Sequence, residues 1–326
     1  MRAARSFLMP ESAAPREGRY VKIAPDSKGR GILLVLLAAA CWSTSGIFIS
    51  LAVEESGISP VGLAFWRDFG TFLCLLLGLS VVRPALLRVK RRDVPWLAAT
   101  GAVSIGLFHF LWNTTVLVNG VSISTVAQST APIFVTLMAW LLWKEPLTRQ
   151  KLLAIALAAA GIGLISGVSN LRQLHVTTFG LGVALAAAVA YGSFSLFAKK
   201  LIGHYNPWTV LVYVFGFASL ALLPFQLGAR IPWPIPPGAM VSYASLVLLT
   251  TVSGFGLYTT GLRRLQASIA SITANTEVPF AALLSYSILG ERLDRWQVLG
   301  AILVVGGVSM VSIPQRQAKP SPESGP

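Results

Sequence analysis

Residues 122–166 read SISTVAQSTAPIFVTLMAWLLWKEPLTRQKLLAIALAAAGIGLIS, and residues 268–312 read SIASITANTEVPFAALLSYSILGERLDRWQVLGAILVVGGVSMVS. Both stretches have a polar start, a proline, an apolar run, a Glu-x-Leu sequence and a second apolar run rich in small residues. The matching residues are Pro132 with Pro279, Glu145 with Glu291, Leu147 with Leu293, and Gly161 with Gly307. The chain therefore contains an internal repeat, and each copy ends in two long apolar segments.

Apolar runs of similar length occupy most of the remaining chain. About 20 helical residues, at 1.5 Å each, cross a hydrocarbon core of roughly 30 Å. Backbone groups in lipid must bond internally, and runs without strict alternation predict helices rather than a barrel. The ten predicted spans are Gly31–Leu51, Val61–Val82, Pro95–Leu117, Ser122–Trp143, Gln150–Val168, Phe179–Ala198, Trp208–Leu227, Ala239–Gly261, Ala267–Leu289 and Trp296–Ile313.

Composition and charge agree with these spans. Only 12% of the 326 residues are charged and 54% are apolar, whereas charged residues make up about a quarter of a soluble domain. We therefore predict an all-α polytopic membrane protein. The net charge of +14 is spread over many loops, which argues against nucleic-acid binding and for attraction to anionic lipid.

The distribution of basic residues predicts orientation. Of the 26 Lys and Arg residues, 21 lie on the side of the two termini, four lie on the opposite side, and Arg67 falls within a span. The positive-inside rule then places both termini in the cytoplasm. Residues 1–30 and 314–326 are predicted to be disordered cytoplasmic tails.

The repeat divides the chain into two halves, residues 31–168 and 179–313. Each half has five spans, and this odd number inserts the second half the other way up. The loop after the second span accordingly carries five basic residues, whereas its counterpart after the seventh span carries only Arg230. Inverted repeats of this kind are typical of secondary transporters, in which the solute site lies between the halves.

These features resemble the drug/metabolite transporter superfamily, and within it the ten-helix EamA-type transporters. The motifs that carry the resemblance are WKEPLT at 143–148 and LGERLD at 289–294, each between a proline-containing span and a glycine-rich span. The resemblance implies a carrier in the cell (inner) membrane of a prokaryote, often an exporter of amino acids or related metabolites. Ala154 departs from the pattern because its counterpart is Gly300, which predicts weaker packing of the fifth span.

Glu277 is the strongest candidate for a functional residue. It lies about ten residues, or roughly 15 Å, into the ninth span, where charge costs about 2.5–3.5 kcal/mol on insertion scales. Pro279, two residues later, frees a backbone carbonyl that could face a cavity. Glu277 would carry protons or bind a substrate amine; alternatively it is a protonated or ion-paired group that ties helices together.

Arg67 and Asp68 are the charged pair within the second span. Arg67 would bind a substrate carboxylate or pair with Glu277, or it would extend its side chain to the membrane interface. The resemblance favours a role for Arg67, since similar chains often carry Arg there. Neighbouring residues on a helix point about 100° apart, so we predict no direct pair between them. We expect Asp68 to be a structural hydrogen-bonding group.

Other polar and aromatic residues within the spans are weaker candidates. Amides at depth could line a pocket or form interhelical hydrogen bonds. His109 would relay protons or act as a lone packing residue. Aromatic residues at matching repeat positions could form a ligand wall, or could merely pack. The set comprises the amides Asn113, Gln128 and Asn275, the histidine His109, the aromatic pair Trp42 and Tyr191, and the helix-breaking prolines Pro132 and Pro279.

Glu145 and Glu291 follow the fourth and ninth spans, and we interpret them as loop-ordering groups that cap the next span. Metalloprotease, serine-hydrolase, ATPase and dinucleotide motifs are missing from the sequence, which predicts no enzyme, no cofactor and no metal. We predict a secondary transporter that moves a small metabolite, with proton coupling through Glu277, as a monomer or a homodimer. The alternative is a lipid or lipid-linked headgroup flippase of the same fold.

Overall fold

The structure, a computed structural model, describes residues 25–166, 178–227, 233–284, 286–287 and 294–312. In these ranges all regular elements are helical, including short 3-10 turns at 84–87 and 91–93. The α-helices are α1 Pro25–Ser43, α2 Ser45–Ser56, α3 Pro60–Val82, α4 Val94–Ala99, α5 Phe108–Gln128, α6 Ala131–Trp143, α7 Arg149–Ile165, α8 Thr178–Leu201, α9 Pro207–Leu227, α10 Pro237–Ser245, α11 Gly254–Leu262, α12 Ala267–Ala274, α13 Glu277–Leu284 and α14 Arg295–Ser312.

Eight helical stretches of the described chain are long and apolar enough to cross a membrane, which confirms an all-α, multi-pass membrane protein. They correspond to eight of the ten predicted spans. The fifth predicted span, α7, has 17 residues, and the ninth is divided between α12 and α13. The count of ten spans stays a prediction.

The helix assignments differ from the predicted boundaries in two places. Helix α1 begins at Pro25, so residues 25–30 are helical rather than part of a tail; a proline at the start and an aspartate beside it both favour a helix N-terminus. Helix α5 continues through the predicted boundary between the third and fourth spans. Ser124 Oγ nevertheless donates a 3.2 Å hydrogen bond to Thr115 Oγ1, although nine residues of straight helix span about 13.5 Å. The helix is therefore not straight between residues 115 and 124, and the predicted boundary between the third and fourth spans falls in this interval, where one candidate membrane span ends at Thr115 and the next begins at Ser124.

Helices of each half pack against helices of the other half. Helix α1 packs on α11, α12 and α13, and its repeat counterpart α8 packs on α5 and α6. Helix α3 packs on its own counterpart α9, α6 packs on α12, and α7 packs on α14. Exchanging each element for its repeat counterpart reproduces the pairs of α1 and α8, the α3–α9 pair and the α7–α14 pair, and this places the centre of the bundle between the halves.

Helices α7 and α14 approach so closely that backbone meets backbone. A Cβ added at Gly161 would collide with the carbonyl oxygen of Gly300, and the reverse also holds. A Cβ added at Gly307 would lie 2.8 Å from the carbonyl oxygen of Ala154. Ala154 is fully buried at this contact, so the prediction that it weakens packing is wrong. Its methyl group fits because the opposing residue is a glycine.

Two helix breaks lie at equivalent repeat positions. Helix α5 ends at Gln128 and α6 begins at Ala131, while α12 ends at Ala274 and α13 begins at Glu277. In each case the break precedes a proline, which removes a backbone donor and obstructs the preceding turn. The π-helical segments at 100–107 and 246–253 are likewise repeat counterparts. These irregular turns expose polar backbone in the interior of the bundle.

We expect Gly161→Ala to lower the melting temperature, because overpacking a close contact costs about 1–3 kcal/mol. The matched control is Gly163→Ala on the same helix, where an added Cβ meets no atom within 4 Å. This control should be neutral or slightly stabilising, since alanine has the higher helix propensity. Thermal unfolding in detergent measures both variants, and equal melting temperatures would contradict the packing account.

Candidate functional site

Two adjoining cavities lie between the halves, with volumes of about 170 and 350 Å³. Both lie beside the helix breaks, and together they contain all eight polar and aromatic candidates from the sequence. The residues that line both cavities are Trp42, Gly46, Trp112, Gln128, Tyr191 and Glu277. The first cavity adds Arg67, His109 and Asn113, and the second adds Asn275.

A buried hydrogen-bonded group connects α3 to α5 at the first cavity. His109 Nδ1 lies 2.8 Å from Asp68 Oδ2, and Arg67 Nη2 lies against the His109 ring. The Asp68 side chain is completely buried, and the side chain of Arg67 is 13% exposed. A histidine that carries its proton on Nδ1 donates to Asp68 and accepts from Arg67 through Nε2. This arrangement supplies partners to a charge that lipid would otherwise leave unpaired.

Two predictions about this group are wrong. Arg67 Nε lies 3.7 Å from Asp68 Oδ1, although adjacent helical positions diverge. The long arginine side chain bends back over its own helix, which the Cβ directions alone do not forbid. His109 is not the lone residue that one alternative described, because it bridges the two charged residues.

Glu277 has a different environment. Its side chain is half-buried. Within the described residues no hydrogen bond and no ion pair within 4.0 Å reaches its carboxylate, and the Arg67 guanidinium attracts it from a greater distance. Glu277 is an acidic side chain that lines both cavities.

The three interior amides differ in the hydrogen-bonding partners that the protein gives them. Asn275 Nδ2 donates a 3.3 Å hydrogen bond to the Ser129 carbonyl, which joins the two helix breaks across the halves. Gln128 Oε1 is buried without a hydrogen-bond partner beside the cavity. Asn113 lines the first cavity and has further contacts of its own. Both predicted roles of the amides, interhelical bonding and pocket lining, therefore occur in the structure.

Aromatic rings form the apolar walls of the cavities. The Trp42 ring lies 5.0 Å from Phe255 and 5.2 Å from Tyr258 between ring centroids. The Tyr191 ring lies 5.1 Å from Phe108. Trp42 and Tyr191 both line the two cavities, so the cavities have an aromatic surface contributed by each half.

The prolines lie at the helix breaks and do not themselves line either cavity. Pro132 and Pro279 are both buried, while the turns that they interrupt supply Ser129 and Asn275 to the lining. Sequence reasoning also missed Phe255, which lines the first cavity. The internal repeat could have identified it. Phe255 is the repeat counterpart of His109, because the same number of residues separates this pair as separates Ser122 from Ser268.

Glu145 caps a helix of the other half, rather than the next span as predicted. Its Oε1 accepts a 3.0 Å hydrogen bond from the Ala267 N–H, and its Oε2 accepts a 2.6 Å bond from Ser268 Oγ. These groups form the N-terminus of α12, where a carboxylate interacts favourably with the helix dipole. The counterpart Glu291 lies outside the described residues.

Comparison with known proteins identifies the family. The EamA-like transporter family matches residues 29–167 and again residues 178–313. The chain belongs to this family. It is a multi-pass membrane transporter, and its environment is the lipid bilayer.

Relatives of similar length have been named as transporters. The chain is 28% identical to the uncharacterized transporter YwfM of Bacillus subtilis, covering 88% of this chain and 95% of that protein. It is 26% identical to a probable amino-acid metabolite efflux pump of Salmonella typhimurium, covering 84% and 92% respectively. It is 25% identical to a probable terminal-alkyne amino-acid exporter of Streptantibioticus cattleyicolor, covering 87% and 93%.

The fold also has a counterpart among solved structures. A protein crystal structure superposes with a TM-score of 0.73 at 17% identity, covering 87% of this chain and 96% of that one. At this identity the likeness concerns the fold alone.

Asp68→Asn and Glu277→Gln should differ in their effect on stability. The first leaves Arg67 without its buried counter-charge, and breaking a buried pair costs about 3–5 kcal/mol. The second removes a carboxylate that has no partner, so its melting temperature should stay near that of the wild type. Thermal unfolding of the two purified variants makes the comparison. A large loss in Glu277→Gln alone would instead assign Glu277 a structural role.

Proposed function

We propose that this protein is a secondary transporter of a prokaryotic cell (inner) membrane that exports a small metabolite such as an amino acid or a related compound. The observation that carries the proposal is the cavity with Arg67 on its wall and with Glu277, which has no close ion pair within the described residues, beside it. A zwitterion fits these two charges, with its carboxylate at the guanidinium and its ammonium group at the carboxylate. Trp42 and Tyr191 would contact its apolar part.

The names of the relatives favour the same solute class and direction. Two of them are named as an efflux pump and an exporter of amino-acid compounds. These solutes are soluble molecules, which favours a metabolite over the lipid headgroup of the flippase alternative. A cavity that contains one cation and one available anion also suits a zwitterion better than a sugar.

Alternating access between inverted halves would expose the cavity to each side in turn. The exchange of packing pairs between repeat counterparts supports this proposal, as do the two glycine contacts of α7 and α14. The charge distribution favours cytoplasmic termini. One chain contains the whole cavity, so a monomer suffices for transport, and a homodimer would carry two pathways.

Proton coupling through Glu277 is the proposed source of energy. A carboxylate that is exposed to the cavity and free of a fixed partner can exchange a proton when the cavity changes sides. In Glu277→Gln, export should lose its dependence on a pH gradient, because an amide does not titrate. Efflux from proteoliposomes at several gradients measures this. A variant that kept the wild-type dependence would rule out the coupling role.

Binding can be tested without knowing the direction of flux. In a thermal-shift screen against amino acids, amines, nucleosides and sugars, an amino acid should raise the melting temperature, since a ligand that binds only the folded protein stabilises it. Arg67→Gln should abolish the shift, and the loop variant Arg83→Gln should retain it. Stabilisation by a sugar or nucleoside alone would contradict the proposed solute class.

Gly254 should set the width of the cavity. A Cβ at this position would lie 2.5 Å from Trp42 Nε1, so Gly254→Ala displaces the indole, which lines both cavities and is expected to move into them. The ratio of export rates for bulky over small amino acids should fall. The control is Gly182→Ala, where a Cβ meets no atom within 4 Å. An unchanged ratio would mean that Trp42 does not limit solute size.

A further inference from the structure

The cavity and Glu145 lie towards opposite ends of the bundle. The second cavity is lined by Ile165, Ser166 and Gln297, which lie at the C-terminal end of α7 and the N-terminal end of α14. Glu145 precedes the other end of α7, which is about 25 Å long from its 17 residues. Within the described chain, residues 139–151 and 262–268 contribute nothing to either cavity. The two cavities therefore lie away from the Glu145 end, where the described residues at the start of α12 are buried.

Glu145 joins the halves at that end. It accepts hydrogen bonds from Ala267 and Ser268 at the start of α12, and it is 8% exposed. Hydrogen bonds to an ionised carboxylate are roughly twice as strong as neutral ones. Ala139, Ala154, Leu262 and Leu265, which come from both halves, belong to one buried apolar cluster.

Two further features of the contact indicate more than simple packing. Lys151 Nζ is buried 3.6 Å from Glu145 Oε2 and has no hydrogen-bonding partner, so its charge depends on the carboxylate. Lys144, the residue before Glu145, has a left-handed backbone with φ of 56°. It is the single non-glycine residue of the described chain with positive φ, and such conformations persist where the surrounding structure demands them. This turn directs Glu145 away from α6 towards the other half.

We infer that Glu145 is a positioning residue that holds this end of the transporter closed while the cavity is accessible from the other end. The inference deepens the proposed function, on which it rests, by naming the contact that must break for the cavity to change sides. Breaking it separates α12 from α6 and exposes the face of α12 that carries Ser268, Ser271 and Asn275 at successive turns.

Ser271 offers a reporter between the contact and the cavity, because it is 4% exposed in this state. We would introduce Ser271→Cys into a Cys41→Ala, Cys74→Ala background and apply a membrane-impermeant thiol reagent from each side of native membranes. Glu145→Gln should raise the labelling rate from the Glu145 side by about tenfold, the population change expected when a charge-assisted bond is lost. Ser268→Ala, which removes one of the two bonds, should give a smaller increase.

The matched control is Tyr205→Phe. Tyr205 donates a 2.5 Å hydrogen bond to Asp93, also between the halves and at the same end, but away from α12. Its loss should leave labelling of Ser271→Cys unchanged. An increase equal to that of Glu145→Gln would show general loosening and would overturn the inference.

The folding of each variant is measured separately from its effect on closure of the Glu145 end. Glu145→Gln leaves Lys151 buried and unpaired. The double variant Glu145→Gln, Lys151→Met removes this isolated charge as well. Size-exclusion chromatography identifies which variants are folded. Raised labelling in a folded variant, with unchanged thermal shift by the solute and slower net export, supports the inference. Unchanged labelling in every folded variant, Ser268→Ala included, overturns it. Labelling requires no solute, so failure of the proposed function would leave this result intact.

Discussion

Hydrocarbon gives a buried polar group no partner, and this constraint determines where each polar side chain of the protein lies. His109 lies between Arg67 and Asp68 and bonds to both across two helices. Glu145 satisfies the open N-terminus of a helix in the other half. Glu277 has no hydrogen bond and no close ion pair within the described residues, and it lines the cavity. The contrast between paired and available charges is the physical basis for assigning a solute site.

The paired repeat explains why the available groups meet at one place. Helix breaks at equivalent positions, before Ala131 and before Glu277, bring backbone and polar side chains to the middle of the bundle. Each half contributes one aromatic wall through Trp42 or Tyr191. Close backbone contact between α7 and α14 joins the halves beside this cavity. A site built in this way from equivalent elements can be exposed by either half, which is what transport requires.

Much of this arrangement could be predicted from sequence because membrane helices obey local rules. Apolar length predicted most of the spans, and depth within a span selected the polar residues that line the cavity. Contacts between residues that lie far apart in the chain were harder to predict from the sequence. The partner of Glu145 lies more than one hundred residues away in the chain, and no local pattern identifies it. The contact between Arg67 and Asp68 depends on how a flexible side chain bends, and Ala154 was misjudged because its opposing residue, Gly307, lies in the other half.

The most direct measurement is an experimental structure of the protein with an exported amino acid bound. We expect the solute between Arg67 and Glu277, with its carboxylate at the guanidinium, its ammonium group at the carboxylate and its side chain against Trp42. A solute bound elsewhere, with Arg67 and Glu277 making no contact to it, would show that these two residues do not form the solute site.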